Sequence, residues 1–371
     1  MNNIKILNQL IRIPSNTGDT KVCHAIIKLA QSFLQSKKVK SKIIHLNKRS
    51  VIIWGETNLA KTKWLINSHL DVVPGSKDQY KAKLSGDRLF GRGSADTKSG
   101  CSIMLANSKR WNQIARTKHI TFMLVTDEEI GGSSTKEILP RIPLLQGAIF
   151  LEPTGEKMIV QAKGIIQLKI TATGKSSHGS RPWEGHSALE ILTDGISSFR
   201  VNNSSPIKET RRTTINFAQI ESGIAINQIP AEGTLWCDIR WNPTDDPTQI
   251  ISNLQISFPD SLIEVIKLES PINCVANSEL RQTFVESLKQ NSINPISGFE
   301  HGSSDARHCT ALSIPAIVFG PIGKNLHGDN EWVSIKSMNK TALVLNHWIA
   351  NLKSKNSSDT ITKGEKHDKH K

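Results

Sequence analysis

Short apolar strands alternate with amphipathic helices in the first 163 residues, give way to a different pattern, and return near the end of the chain. Asp19 to Gln35 repeats its apolar positions with the helical period, starting where the polar run Asn16-Thr17-Gly18-Asp19 stops. Strand-like runs follow at Ser50–Trp54, Trp64–Ser68, Ile120–Val125 and Ala148–Leu151, with a helix over Ser99–Trp111 between the two pairs. Strands that alternate with helices bury both sheet faces, so this part predicts an α/β layer: a mixed central sheet with helices on both faces. After Lys163 the pattern changes. Ile165–Thr173 alternates like a strand, Gly185–Arg200 is helical, Thr213–Ile220 and Thr234–Trp241 are strands, Pro247–Ser257 is helical with proline at a first-turn position, and Leu262–Leu268 closes the set. That β-α-β-β-α-β order is a ferredoxin-like α+β module. From about Asn277 the alternation returns, with the strand Ala316–Phe319 and a last helix over Ser337–Leu352. The expected division is a body of residues 1–163 and 276–352, interrupted by an inserted domain of residues 164–275, and 371 residues are enough for both cores.

Composition excludes several classes. No stretch approaches the roughly 18 uncharged apolar residues of a membrane helix. Met1 to Ser15 is amphipathic, carries Lys5 and Arg12, and reads as a first helix rather than a signal peptide. Cys23, Cys101, Cys237, Cys274 and Cys309 are scattered, odd in number and without CxxC spacing, which points to a reducing, cytoplasmic setting. The formal net charge of +14 raises the question of nucleic acid. The basic residues are spread along the chain, however, and a single Tyr leaves little for base stacking. Part of the charge lies in a polar segment, residues 353–371, expected to be a disordered basic tail. An acidic small substrate explains the balance at least as well as a nucleic acid.

The residues that carry chemistry sit where strands end. His69 and Asp71 follow an apolar strand two positions apart, so in extended backbone Asp71 can hold the imidazole and fix which nitrogen faces a metal. Taken alone, the pair is a weak signal and reads first as a polar surface loop. Asp96 lies among the glycines of Gly91-Arg92-Gly93-Ser94-Ala95-Asp96, either as a ligand or as a cap for the helix that follows. Asp127, Glu128 and Glu129 repel one another unless something positive gathers them; a metal would do so, and a solvated helix start is the plainer alternative. Glu152, at another strand end, and His327, in a polar turn, complete the set.

Taken together and in this order, these motifs resemble those of the M20 metallopeptidases, the group of carboxypeptidase G2, acetylornithine deacetylase and succinyl-diaminopimelate desuccinylase. The resemblance runs from about Leu7 to Leu352. It implies two zinc ions, for which Co²⁺ or Mn²⁺ can substitute. Asp96 would bridge them, His69 and Glu152 would complete one site, and Glu129 and His327 the other. Glu128 would be the general base for a metal-activated water, with Asp71 orienting His69, and the Asp96–Thr97 peptide is often cis in such proteins. The inserted domain would act as a lid and dimerisation module of a homodimer, with His178 in Gly174-Lys-Ser-Ser-His178-Gly-Ser-Arg-Pro182 reaching the partner's site to stabilise an oxyanion. Asn227, Arg240, Gly302 and Ser303 match substrate-binding positions, and the arginine fork suits a carboxylate. The implied reaction is cleavage of the amide of an N-acylated amino acid. A dipeptidase or carboxypeptidase of the same family is the alternative, and a non-catalytic binding protein using the same pocket is a third reading. Two departures lie near the substrate: Ser187 stands where such proteins often carry Asn, and His301-Gly302-Ser303-Ser304-Asp305 replaces Gly-Gly-Thr-Ser-Asp.

Overall fold

The computed structural model describes residues 2–353; Met1 and residues 354–371, which hold nearly all of the expected basic tail, lie outside the described residues. The main sheet runs, in spatial order, Ser41–Leu46, Arg49–Gly55, Ile120–Val125, Trp64–His69, Gly147–Phe150, Ala316–Val318, Met158–Ala162 and Ile272–Asn273, with Ser297–Glu300 also on Met158–Ala162. Its middle four strands, from Ile120–Val125 to Ala316–Val318, are parallel, and antiparallel pairs flank them. The sheet is therefore mixed, as the sequence pattern predicts.

Neighbouring residues of one strand enter opposite cores, because side chains alternate across a strand. Ile52, Trp54, Ile66, Phe122 and Leu124 join one cluster with the helices Asn3–Ile11, Thr20–Ser36, Lys98–Ala115, Glu279–Gln290 and Ile335–Asn351. Val51, Ile53, Leu65, Met123 and Val125 join the other, under Ser133–Ile138 and Arg307–Thr310. Both faces are thus dry, which explains why these strands read as unbroken apolar runs. Trp348 of the last helix meets Trp64 edge-on, with ring centres 5.6 Å apart, and its indole N–H donates to Thr283 Oγ1 at 3.0 Å. That contact ties two helices to the sheet.

A second, fully antiparallel sheet has the order Thr214–Ser222, Glu232–Trp241, Gly164–Thr173, Ser261–Glu269. With the helices Ala188–Asn202 and Pro247–Ser257 on one face it is the ferredoxin-like arrangement. Ile166, Leu168, Ile170, Leu235, Cys237 and Ile239 point into its core. Gly195 is required there: a Cβ would sit 2.3 Å from the Phe258 ring. The first of these helices starts later than its periodicity suggests, at Ala188, because Gly174 to Lys175 packs on His186 and Ser187 caps the helix by accepting from Glu190 N at 3.3 Å. Ser187 thus does the capping work open to Asn at that position. A small third sheet, Lys83–Ser85, Arg88–Phe90, Trp332–Ser334 and Gly323–Lys324, was not visible as periodicity in strands this short.

Candidate metal centre

In an open sheet, ligands collect outside the carboxyl ends of parallel strands. Here three such ends and two loops supply the acids and imidazoles. His69 ends its strand, Asp127 to Glu129 follow Ile120–Val125, Glu152 follows Gly147–Phe150, and Asp96 lies in the loop before the helix Lys98–Ala115. His327 arrives from a turn in which its own φ is +61°, a left-handed conformation unusual for a side-chain-bearing residue.

The two carboxylate oxygens of Asp96 face different imidazoles. Oδ1 is 3.2 Å from His69 Nε2 and Oδ2 is 3.1 Å from His327 Nε2. His69 Nε2 is also 3.6 Å from Glu152 Oε1, and His327 Nε2 is 3.2 Å from Glu129 Oε2. This makes two triads, His69–Asp96–Glu152 and Asp96–Glu129–His327, whose ligand atoms each lie within 4.8 Å of one another. The far nitrogen of His69 is 3.4 Å from Asp71 Oδ1 and 3.0 Å from the Asp71 carbonyl. Asp71, fully buried, accepts from Thr17 Oγ1 at 2.8 Å and from the Glu129 backbone N–H at 3.2 Å, so one carboxylate orients both a histidine and the acidic loop. Glu128 belongs to neither triad; its two oxygens lie 4.0 Å from His69 Nε2 and 4.0 Å from Arg307 Nη1.

The donor set fits divalent cations. Burial, joined by the charges of Asp96 and Glu129, pushes Glu152 up to about 7. Burial and the charge of Asp96 do the same to Glu129, to about 7, while burial raises Glu128 well above the usual range. His69 is pushed down by its burial, yet Glu152, Asp71 and Asp96 together hold it well above its ordinary value. Such a cluster lacks positive charge, and mixed imidazole and carboxylate donors with open positions are the ligands of Zn²⁺ and related ions.

The first acid of the run departs from the expectation that one cation gathers all three. Asp127 turns away: its Oδ2 accepts from Arg49 Nη1 at 3.1 Å and from Ser134 N at 2.8 Å. Asp96 is not a helix cap either, since Thr97 occupies that place. The Asp96–Thr97 peptide is cis, matching the resemblance. Gly302 and Ser303 line the cavity of about 300 Å³ that opens over the triads, together with Ile159, Ile272, Val318 and Leu326. His178, Asn227 and Arg240 do not come to this cavity within one chain. His178 is on the surface bonded to Ser180 Oγ at 2.8 Å, Gly179 packs on the backbone of Asn227, and Arg240 pairs with Asp238 at 2.8 Å.

The sequence alone gives no role to Arg92, which stands in the glycine-rich run before Asp96, or to Glu331. They form a buried pair at 2.9 Å, and Glu331 also accepts from the backbone N–H groups of Gly93, Ala95 and Asp96. A lone acid in a polar turn carries no periodic signal; its only mark is standing four residues after His327.

Comparison with known proteins agrees with this geometry. The model of peptidase family M20/M25/M40 matches residues 65–351. Aminoacylase-1 of Dictyostelium discoideum is 29% identical over 326 residues, covering 73% of this chain and 78% of that protein. Among solved structures, aminopeptidase PepT from Bacillus cereus superposes with a TM-score of 0.77 at 17% identity, over 94% of this chain and 97% of that one. The YxeP protein of Bacillus subtilis, a dinuclear metal-binding peptidase of the M20 family, does so with a TM-score of 0.68 at 12% identity, over 95% and 97%. These structural likenesses carry the fold. Because the family match spans most of its length and includes every strand end that bears a candidate ligand, the chain belongs to peptidase family M20/M25/M40, the metal-dependent hydrolases of amide and peptide C–N bonds.

Proposed function

We propose that the protein is a two-metal amidohydrolase that cleaves the acyl amide of a small, carboxylate-bearing N-acylated amino acid. One observation supports this reading above the others: Asp96 offers one oxygen to each of two triads, each with its own histidine and its own glutamate. His69, Asp96 and Glu152 would hold one cation, and Asp96, Glu129 and His327 the other. Zn²⁺ is the ion this donor set favours, with Co²⁺ or Mn²⁺ as substitutes. When bound, such a pair lowers the pKa of a water between its members and polarises the scissile carbonyl.

The chain's own residues do the rest. Glu128, next to both triads and a ligand of neither, takes a proton from the attacking water and passes it to the leaving amine nitrogen. Asp71 keeps the His69 ring turned so that Nε2 faces Asp96. Gly302 and Ser303 bring backbone and hydroxyl donors to the cavity wall, beside an apolar end made by Ile159, Ile272, Val318 and Leu326. We assign the catalytic body to residues 1–163 and 276–352 and the lid to residues 164–275. In a homodimer the lid of one subunit would bring His178 to the oxyanion and Asn227 and Arg240 to the substrate carboxylate of the other. Five buried cysteines, none of them in a disulfide, support a reducing, cytoplasmic setting.

The kinship to an aminoacylase supports the deacylase reading, and the fold of an aminopeptidase keeps a peptidase as its rival. A panel of N-acetylornithine, N-succinyl-diaminopimelate and simple dipeptides, assayed with added Zn²⁺ or Co²⁺, separates them. Glu128→Ala is expected to lower kcat by about 10² to 10⁴ while both metals stay bound. Undiminished turnover in that variant removes Glu128 from the role assigned to it.

A further inference from the structure

Glu331 and Arg92 are not among the residues lining the cavity and stand in neither triad, yet both are almost fully buried, at 1% and 3% exposure. All four hydrogen bonds to the Glu331 carboxylate come from one short segment. Oε2 accepts from Arg92 Nη1 at 2.9 Å and from Gly93 N at 3.0 Å; Oε1 accepts from Ala95 N at 2.9 Å and from Asp96 N at 3.1 Å. The glutamate therefore grips the backbone of the very residue that both triads share. Arg92 extends the grip to the far side of the site. Its second terminal nitrogen donates to the His327 carbonyl at 3.0 Å and to the Pro74 carbonyl at 3.4 Å. The first of these carbonyls belongs to a histidine in the left-handed region, a conformation that persists only where its surroundings hold it.

We infer that the Arg92–Glu331 pair is a positioning clamp that sets the metal affinity of the Asp96–Glu129–His327 triad in particular. This inference rests on the two-metal reading above. The two triads hang from the clamp unequally. In the first, only Asp96 is attached to it, while His69 is fixed by Asp71 and Glu152 stands at the end of a central strand. In the second, Asp96 and His327 are both attached, and only Glu129 is held otherwise, by its bond to Asp71. Loosening the clamp should release two of three ligands of the second triad and one of three of the first. Outer residues that orient metal ligands typically change affinity by about 10- to 100-fold when lost.

Glu331→Gln tests this, because the amide keeps the shape but turns an N–H₂ toward two of the four donors. The full-length protein is stripped of metal, titrated with Zn²⁺, and its content measured by elemental analysis, with Co²⁺ absorption as a second readout. The wild type is expected to bind two ions. Glu331→Gln is expected to bind one with near-normal affinity and the other about 10- to 100-fold more weakly. Arg92→Lys, which keeps the charge but cannot reach Glu331, His327 and Pro74 together, is expected to show the same selective loss with a smaller disturbance of the Asp96 loop. Near-UV circular dichroism of the metal-free proteins checks that each variant is folded; should Glu331→Gln fail that check, the titration of Arg92→Lys decides. A general loss of stability would weaken both ions alike. Two ions bound with wild-type affinities in the folded variants, or equal weakening of both, overturns the clamp. A wild type that binds fewer than two ions instead overturns the two-metal reading, and the clamp's role in it.

Discussion

His308 shows how far burial can move a single group. Its Nε2–H donates to the Gly131 carbonyl at 3.1 Å, and burial, aided by neighbouring Arg307, pushes its pKa down to about 4. The unfolded chain takes up that proton near the ordinary value of 6.5, so the folded state is favoured in full above 6.5 and loses ground as pH falls from there toward 4. Between about pH 7 and about pH 4.5 the wild type should lose on the order of 2 kcal/mol more than His308→Gln, since one unit is worth about 1.4 kcal/mol. Urea unfolding of the two proteins at both pH values measures it, and equal losses would contradict the assignment. At the same scale, the five residues that gather into the two triads stood out in the sequence as imidazoles and carboxylates at strand ends and in polar turns. What was not readable is how acids divide their labour. Asp127 sits in one run with Glu128 and Glu129, yet it serves Arg49 and a helix start. Only the distant Arg49, brought alongside by the sheet, reveals that.

Ile120–Val125, buried on both faces, announced itself as an unbroken apolar run, and the one-sided helix Pro247–Ser257 falls where its periodicity and first-turn proline place it. The short strands of the third sheet and Ile272–Asn273 did not, since two or three residues hold no period. Their pairing is decided by what lies beside them. The last helix is the element whose anchorage is most exposed to test. Trp348 fills the space between Trp64 and the helix Glu279–Gln290 and is completely buried. Trp348→Ala is expected to destabilise the fold by about 3–5 kcal/mol through the cavity it leaves. Denaturant midpoints would report this, and a cost under about 1 kcal/mol would mean that the helix docks by other contacts.

Across the whole molecule, the acids of the two triads and Glu128 form a pool of repelling charge that ligands of opposite sign should quiet. Zn²⁺ in hundredfold excess over its Kd adds about 2.7 kcal/mol of stability for each site occupied. For the metal-stripped protein this should raise the melting temperature on the order of 5 °C, and Mg²⁺, which prefers an all-oxygen octahedron, should do less. Differential scanning fluorimetry across a metal series checks both, and a melting point indifferent to Zn²⁺ would count against the cluster as a cation site. No helix among the described residues is long and apolar enough to cross a membrane. The inserted sheet keeps both of its outer strands, Thr214–Ser222 and Ser261–Glu269, without a strand partner beyond them in the described chain, and a dimer formed along such an edge would show as doubled mass in light scattering.

The strand Ala316–Val318 lies in the interior of the main sheet, between Gly147–Phe150 and Met158–Ala162, although it is made long after both. Without it, the edges of Gly147–Phe150 and Met158–Ala162 that it joins would have no strand between them. The inserted module, whose strands are all local to it, can meanwhile fold on its own schedule. A polypeptide cut short before residue 316 would lack this interior strand and, with it, His327 of the second triad.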